Sequence, residues 1–212
     1  MSRGTSESIC GWALNALERI AALVMLAALS PVLAVVGLIV AALSGRSPLI
    51  AHQRLGFGGT PFWVLKFRTM WPRRAPDRTR LTLVEYIVDE DGPQRKTVCD
   101  SRISSAFARF CRRHSIDELP QLWHVVRGEM SLVGPRPITP FECRLHYRGD
   151  AAEVLGVKPG ISGLWQIMGR SGLTYEQRRN LDLELVRNRS LRLYVRILLG
   201  TLPAVFSGRG AW

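Results

Sequence analysis

Two adjacent carboxylates stand in Ser115-Ile116-Asp117-Glu118-Leu119-Pro120-Gln121-Leu122. Their spacing admits two readings. Ser115 and Glu118 have the separation of a capping box. Pro120 lacks an N–H and suits a first helical turn, which moves the helix start toward Asp117, itself a competent cap. On local spacing alone, capping is the stronger reading. The chemical reading is that a helix N-terminus favours an ionised carboxylate, the form a nucleophile requires. Downstream, Gly134-Pro135-Arg136-Pro137 holds an arginine between two prolines. Each proline fixes its own φ and restricts the residue before it, so this guanidinium is ordered in advance for a phosphate. Lys66 and Arg68 lie in an alternating segment that sets them on one face, roughly 7 Å apart. By itself that pattern describes a solvated outer face. The stretch 157–172 is rich in glycine around Trp165. Those glycines would admit close backbone approach to a ligand, and Trp165 could stack or simply pack. No Walker A or Rossmann fingerprint, zinc-spaced histidine pair or Gly-x-Ser-x-Gly elbow occurs.

The elements that must position these groups follow from pattern. Pro48–Arg54 and Phe62–Met70 read as two strands around Gly56-Phe57-Gly58-Gly59-Thr60-Pro61, a hairpin. The stretch 72–98 is polar and irregular, and its Asp89-Glu90-Asp91 run reads as an exposed turn. Ile103–Arg113 is a basic amphipathic helix with Ile103, Phe107, Phe110 and Cys111 opposite Arg109, Arg112 and Arg113. The helix after the carboxylates ends near Gly128. Ser190–Leu202 mixes apolar residues with Arg192 and Arg196 and suits a headgroup interface.

Ile20–Leu43 is the strongest compositional feature: 24 residues without a charge, with Ser30 their only polar side chain. A straight helix of that length reaches about 36 Å, against a hydrocarbon core of about 30 Å. The apolar run is too long for a signal-peptide core, and no basic region directly precedes it. Hydropathy alone favours a spanning helix. Ser30-Pro31, near its middle, argues for a bend there. The two halves would be about 16 and 20 Å long, so neither crosses alone, and a re-entrant helix keeps both ends on one side. Arg3 and Arg19 precede the segment, so 27 of the 29 basic residues follow it and place the bulk of the chain in the cytoplasm.

The chain has 212 residues, a net charge of +12 and 47% apolar residues. That excludes wholesale disorder and suits one domain with an appended segment. The basic excess seeks anions: nucleic acid, phosphorylated small molecules or anionic lipid. Cys10, Cys99, Cys111 and Cys143 lack metal or disulfide spacing and read as small buried thiols in a reducing compartment.

Several motifs stand in order: Gln53-Arg54-Leu55-Gly56, Lys66-Phe67-Arg68-Thr69-Met70, Asp117-Glu118-Leu119-Pro120-Gln121-Leu122, Ser131-Leu132-Val133-Gly134-Pro135-Arg136-Pro137 and Lys158-Pro159-Gly160-Ile161-Ser162-Gly163. Together they closely resemble the bacterial sugar transferase family, the monotopic phosphoglycosyl transferases. The tail from Leu202 to Gly210 resembles their exopolysaccharide-priming branch. Two positions depart from the family pattern: Asp100-Ser101-Arg102 where Asp-Pro-Arg is usual, and Gly169-Arg170-Ser171 where Gly-Arg-Asn is common.

The resemblance implies an α/β, mixed α+β, catalytic domain over 47–212. It follows an N-terminal segment and re-entrant membrane helix over 1–46, kinked at Ser30 and Pro31, and carries interfacial amphipathic helices. It implies a bacterial inner-membrane protein facing the cytoplasm. The implied reaction moves a sugar-1-phosphate from a UDP-sugar to polyprenyl phosphate, releasing UMP and leaving a polyprenyl-diphosphate sugar, the priming step of a surface glycan. Asp117 inherits the role of nucleophile, and Glu118 assists with Mg²⁺, both carboxylates serving as metal ligands. Lys66, Arg68, Arg102, Arg136 and Arg170 match basic positions read as phosphate contacts. The implied partners are the UDP-sugar, the polyprenyl phosphate and inner-membrane lipid; a homo-oligomer is left open and nucleic acid has no part. The alternative is a membrane-tethered basic module that binds nucleic acid or anionic lipid without catalysis. It would need neither the Asp117-Glu118 pair nor a rigid Arg136.

Overall fold

The structure, a computed structural model, describes residues 3–71, 82–88, 103, 105–169 and 172–208. Helix α1 (Arg3–Ser44) continues through Pro31. Pro31 has no N–H to offer the Ala27 carbonyl, four residues back, and the Ser30 hydroxyl donates to that carbonyl instead at 2.8 Å. One face of α1 packs on the rest of the chain. Glu18, Ala22, Val36 and Val40 are buried, and Leu26, Leu29 and Leu33 pack against the core between them. That spacing of threes and fours is a single helical stripe. The other faces are apolar and exposed, among them Ile20, Leu23, Val24, Val32, Val35 and Leu38.

Strands β1 (Leu49–Leu55) and β2 (Pro61–Phe67) form the expected antiparallel hairpin. Gly58 and Gly59 take its turn at φ of +67° and +76°, where a side chain would be strained. Arg68, Thr69 and Met70 lie beyond the strand end. The expectation of irregular chain over 72–98 fails in its described part: β3 (Val84–Ile87) pairs parallel with β1, giving the order β2-β1-β3. Its four residues carry too little alternation to stand out.

Helix α2 (Ala106–Arg113) starts three residues later than the pattern suggests, because the Ser105 side chain accepts from the Ala108 N–H at 2.9 Å. Phe107 and Cys111 face the core as expected, but Phe110 is exposed. A 3₁₀ turn (Ile116–Gln121) leads into α3 (Leu122–Arg127), which Gly128 ends at φ +78°. Strands β4 (Ser131–Val133) and β5 (Gly160–Ser162) form a separate parallel pair. Between them lies α4 (Pro140–Glu142), which widens over Cys143–Tyr147 and tightens over Arg148–Asp150 before α5 (Ala151–Leu155). Helices α6 (Leu164–Met168), α7 (Tyr175–Arg187) and α8 (Leu191–Ser207) follow. The stretch expected at an interface is α8. It buries Ile197 and exposes Leu191, Val195, Leu199, Leu202 and Phe206.

Two cores sit against α1. Ala22 meets Leu122, Val125 and Met130, while Val36 and Val40 meet Phe67 and Cys111. From Ala22 to Val40 is about 27 Å of helix axis. The rest of the chain therefore touches α1 on both sides of Pro31. Cys111 and Cys143 are free thiols, Cys111 fully buried and Cys143 partly so.

Candidate active site

The segment joining α2 to α3 turns sharply at Ser115, whose φ of +54° is unusual for a residue with a side chain. No side-chain cap forms there. The capping reading of Ser115 and Glu118 is thus not what the structure adopts: Ser115 is left-handed, where a capping residue is extended. Asp117 and Glu118 instead occupy the first turn, with Pro120 behind them.

Glu118 is gripped by two cations. Lys66 Nζ donates to Glu118 Oε1 at 2.7 Å, and both terminal nitrogens of Arg136 reach the same oxygen at 3.3 and 3.4 Å. Burial pushes the Lys66 ammonium below the ordinary lysine range, despite the neighbouring carboxylates. Burial also works against the charge of Arg136, but Glu118, Glu142 and Asp117 outweigh it and raise that group. Asp117 is only 8% exposed. Thr69 Oγ1 donates to its Oδ2 at 3.4 Å, and Arg112 donates to the same hydroxyl at 3.4 Å. The α2 helix thus turns a cation toward the carboxylates. Cys111, below it, has its thiol pushed up to about 11 by burial and then by Asp117.

Arg136 rests against Trp165, its guanidinium carbon 5.5 Å from the ring centroid, and Arg178 lies against the same ring at 4.9 Å. These are cation–π distances. Trp165 therefore both packs and stacks, and it holds two guanidiniums beside one cleft. That cleft is lined by Arg136, Glu142, Tyr147, Trp165, Tyr175 and Arg178. Burial, then the charge of Arg136, lowers the Arg178 value. A larger cleft lies around His146, Arg148, Glu176 and Arg179, and the stacked rings of His146 and Tyr175 stand between the two.

Gly134, Gly160 and Gly163 serve backbone packing. A Cβ on Gly160 would collide with the Gly134 backbone, and one on Gly134 would lie 2.5 Å from the Lys158 carbonyl. A Cβ on Gly163 would meet the Gly134 carbonyl at 2.6 Å. The expected close approach is therefore between two segments of this chain, and it seats the Pro135-Arg136-Pro137 turn on Trp165. Behind that turn Asp182 is fully buried. It accepts from the Tyr147 hydroxyl at 2.8 Å and interacts with the Arg136 backbone N–H. Burial pushes its carboxyl up to about 7.

Of the residues singled out in the sequence, Asp117, Glu118, Lys66 and Arg136 come together. Arg68 is engaged elsewhere: it is buried, donates to Glu85 at 2.6 Å and to the Ser47 carbonyl at 2.8 Å. Arg68 keeps the face of Lys66, since its N–H extends the ladder to the Pro48 carbonyl at 2.8 Å and its partner Glu85 lies across Ile50 from Lys66, but its guanidinium is taken by Glu85 and not by Glu118. Arg102, Arg170 and Asp89-Glu90-Asp91 lie outside the described residues. Sequence reasoning missed Thr69, Arg112, Arg178, Asp182 and His124. Leu65 N–H donates to His124 Nε2 at 3.1 Å, and His124 Nδ1 pairs with Glu129 at 2.7 Å. That histidine bolts α3 to the strand carrying Lys66. A polar residue among apolar ones in a helix was its only sequence signal, as it was for Asp182.

Comparison with known proteins identifies the family. The bacterial sugar transferase model matches residues 11–208. The chain belongs to the bacterial sugar transferase family. It is 37% identical over 212 aligned residues to the exopolysaccharide production protein ExoY of Rhizobium meliloti, covering 99% of this chain and 92% of that one. It is 40% identical to the UDP-galactose-lipid carrier transferase of Erwinia amylovora over 79% of this chain and 35% of that one. The undecaprenyl-phosphate glucose phosphotransferase of Komagataeibacter xylinus is 36% identical over 93% of this chain and 36% of its own length. The chain thus spans about a third of the latter two relatives.

Proposed function

We propose that this protein transfers a sugar-1-phosphate from a UDP-sugar to polyprenyl phosphate through a covalent aspartyl intermediate, the priming step of an exopolysaccharide or other surface glycan. The observation that carries the reading is the grip of Lys66 and Arg136 on Glu118 with the buried Asp117 beside it. A carboxylate held among cations in a low-dielectric recess can meet a diphosphate without prohibitive repulsion. An Asp117 oxygen attacks the sugar-bearing phosphorus, and the bond from that phosphorus to the bridging oxygen breaks. UMP leaves with the electron pair. A phosphate oxygen of the polyprenyl acceptor then attacks the same phosphorus and displaces the carboxylate. The two displacements share one phosphate pocket, formed by Lys66 and Arg136 with Arg178 at its edge. Arg102 and Arg170 are further phosphate contacts in this proposal.

Among the described residues no cluster of three or more metal-ligating side chains occurs. Asp117 and Glu118 make a two-carboxylate set, which fits Mg²⁺, an ion that commonly takes one or two protein carboxylates and completes its shell with phosphates and water. When bound, Mg²⁺ would neutralise diphosphate charge. The names of the relatives support an undecaprenyl-phosphate acceptor and a hexose donor.

We also read α1 as re-entrant in the bacterial inner membrane, with the catalytic portion in the cytoplasm. The helix is long and apolar enough to cross a membrane. Its contacts with the catalytic portion on both sides of Pro31 support a helix laid along that portion over one that leaves it.

The test is Mg²⁺-dependent UMP release from UDP-galactose and UDP-glucose with undecaprenyl phosphate. Release that requires the acceptor for turnover supports the reading, and no release from any UDP-sugar of a broader panel overturns it. Tags at both ends on the cytoplasmic side support the topology, and periplasmic labelling before residue 19 overturns it.

A further inference from the structure

Glu18 is a charged residue on the buried stripe of an otherwise apolar helix, and the chemistry above does not use it. Its carboxylate is 7% exposed. Oε1 accepts three hydrogen bonds: from Ser131 Oγ at 2.5 Å, from the Leu132 N–H at 3.1 Å and from Tyr194 Oη at 2.6 Å. These donors sit on two elements. Ser131 and Leu132 belong to β4, the strand that runs into Gly134-Pro135-Arg136, and Tyr194 belongs to α8. Next door, Arg19 Nε donates to the Val126 carbonyl at 2.8 Å in the last turn of α3.

Apolar stripes tolerate sliding, because one small hydrophobe replaces another at modest cost. Ala22, Leu26 and Leu29 of α1 form such a stripe. A buried carboxylate with directional donors does not slide: any other register leaves it desolvated and unpaired. The residue that specifies where α1 sits is therefore Glu18. It does so while holding α8, the other element with an exposed apolar face, to the same oxygen.

We propose that Glu18 is a positioning residue that locks the two lipid-facing helices, α1 and α8, to β4 and so sets the height of Asp117 above the membrane surface. The inference rests on the transferase and membrane readings above. Its consequence is selective. The donor half-reaction uses a water-soluble nucleotide sugar and is indifferent to height. The acceptor half-reaction needs the phosphate of an embedded lipid to reach Asp117 and is not.

The experiment uses the full chain in vesicles of phosphatidylethanolamine and phosphatidylglycerol. It compares wild type with Glu18→Leu, which keeps helix propensity and removes the acceptor oxygen, and with Tyr194→Phe, which removes one donor and leaves the fold least disturbed. For Glu18→Leu the KM for undecaprenyl phosphate should rise about tenfold or more, the change a lost anchoring interaction of ordinary size produces. The UMP burst with UDP-sugar alone should stay within about twofold of wild type, since no donor-binding group has changed. Tyr194→Phe should shift the same constant in the same direction by less. In detergent micelles with a short-chain, water-soluble polyprenyl phosphate the differences should vanish. A donor burst that falls in step with turnover, or an acceptor KM unchanged in both variants, overturns the proposal. A wild type that releases no UMP overturns the reaction reading, and this inference with it; wild-type release with unaltered variants overturns this inference alone.

Discussion

The two walls of the site are built differently. One comes from the β1–β2 hairpin and the α2–α3 corner and supplies Lys66, Thr69 and Arg112. The other comes from the Pro135-Arg136-Pro137 turn, Trp165 and α7, and supplies Arg136 and Arg178. In the first wall, strand pairing and one histidine, His124, hold Lys66 in place. The second rests on glycine-to-glycine backbone contact, a shared tryptophan and the buried Asp182. A wall of the first kind tolerates local change. One of the second kind fails as a unit, since each part is seated on another.

The same substitution in each wall separates them most strongly. Gly160→Ala drives a Cβ into the Gly134 backbone and should destabilise the fold by about 3 kcal/mol or more, at the upper end for overpacking. Gly58→Ala in the hairpin meets open space and bears only the strain of a positive φ, which costs about 1 kcal/mol. Thermal unfolding of the two variants checks the contrast, and equal costs would erase it.

Arg136→Lys keeps the charge but loses the planar fork that spans Glu118 and Trp165. Turnover should fall about a hundredfold, the scale of losing one preorganised donor. Wild-type turnover would make Arg136 a turn residue only.

The smallest effect belongs to the first wall and is a pH dependence. Burial holds His124 below its ordinary value of 6.5, although Glu129 pulls it up. The unfolded chain then binds the proton more readily than the folded one. The stability is present above about pH 6.5 and is lost as pH falls. Protonation would also set an N–H against the Leu65 N–H. Relative to His124→Leu, wild type should lose about 1 kcal/mol between pH 7 and 5.5, within the one-proton limit of about 1.4 kcal/mol per pH unit. Parallel pH profiles would remove His124 from the account.

Legibility in the sequence follows the same division. The hairpin, α2, the α3 stop at Gly128 and the apolar helix were readable because alternation, 3.6-residue periodicity and glycine punctuation are local signals. The rigid Arg136 was readable because prolines act on their neighbours. β3 was not, since a four-residue parallel strand is defined by its partner. Alternation gave Arg68 its face correctly, but its partner, Glu85, sits on the strand that local pattern did not announce. The capping reading of Ser115 failed because nothing in the sequence announces a left-handed serine. Of the glycines in 157–172 read as admitting a ligand, Gly160 and Gly163 pack on the Gly134 backbone, a contact that local pattern does not encode, while Gly172 faces open space. Arg178 and Asp182 sit in a helix with ordinary amphipathic spacing, and only the packing of α7 behind Trp165 turns them toward the site.

The central claim is that Asp117 is a nucleophile and not a cap. Asn occupies nearly the same volume and caps helices about as well, so Asp117→Asn should cost little stability under either role. It cannot form an acyl phosphate. Intact-protein mass spectrometry after incubation with a UDP-sugar and no acceptor decides between them. Wild type should gain the mass of one sugar phosphate as UMP is released, and folded, membrane-bound Asp117→Asn should gain none. An adduct of the same mass on Asp117→Asn would contradict the account and move the nucleophile elsewhere, with Glu118 next to it as the first residue to test.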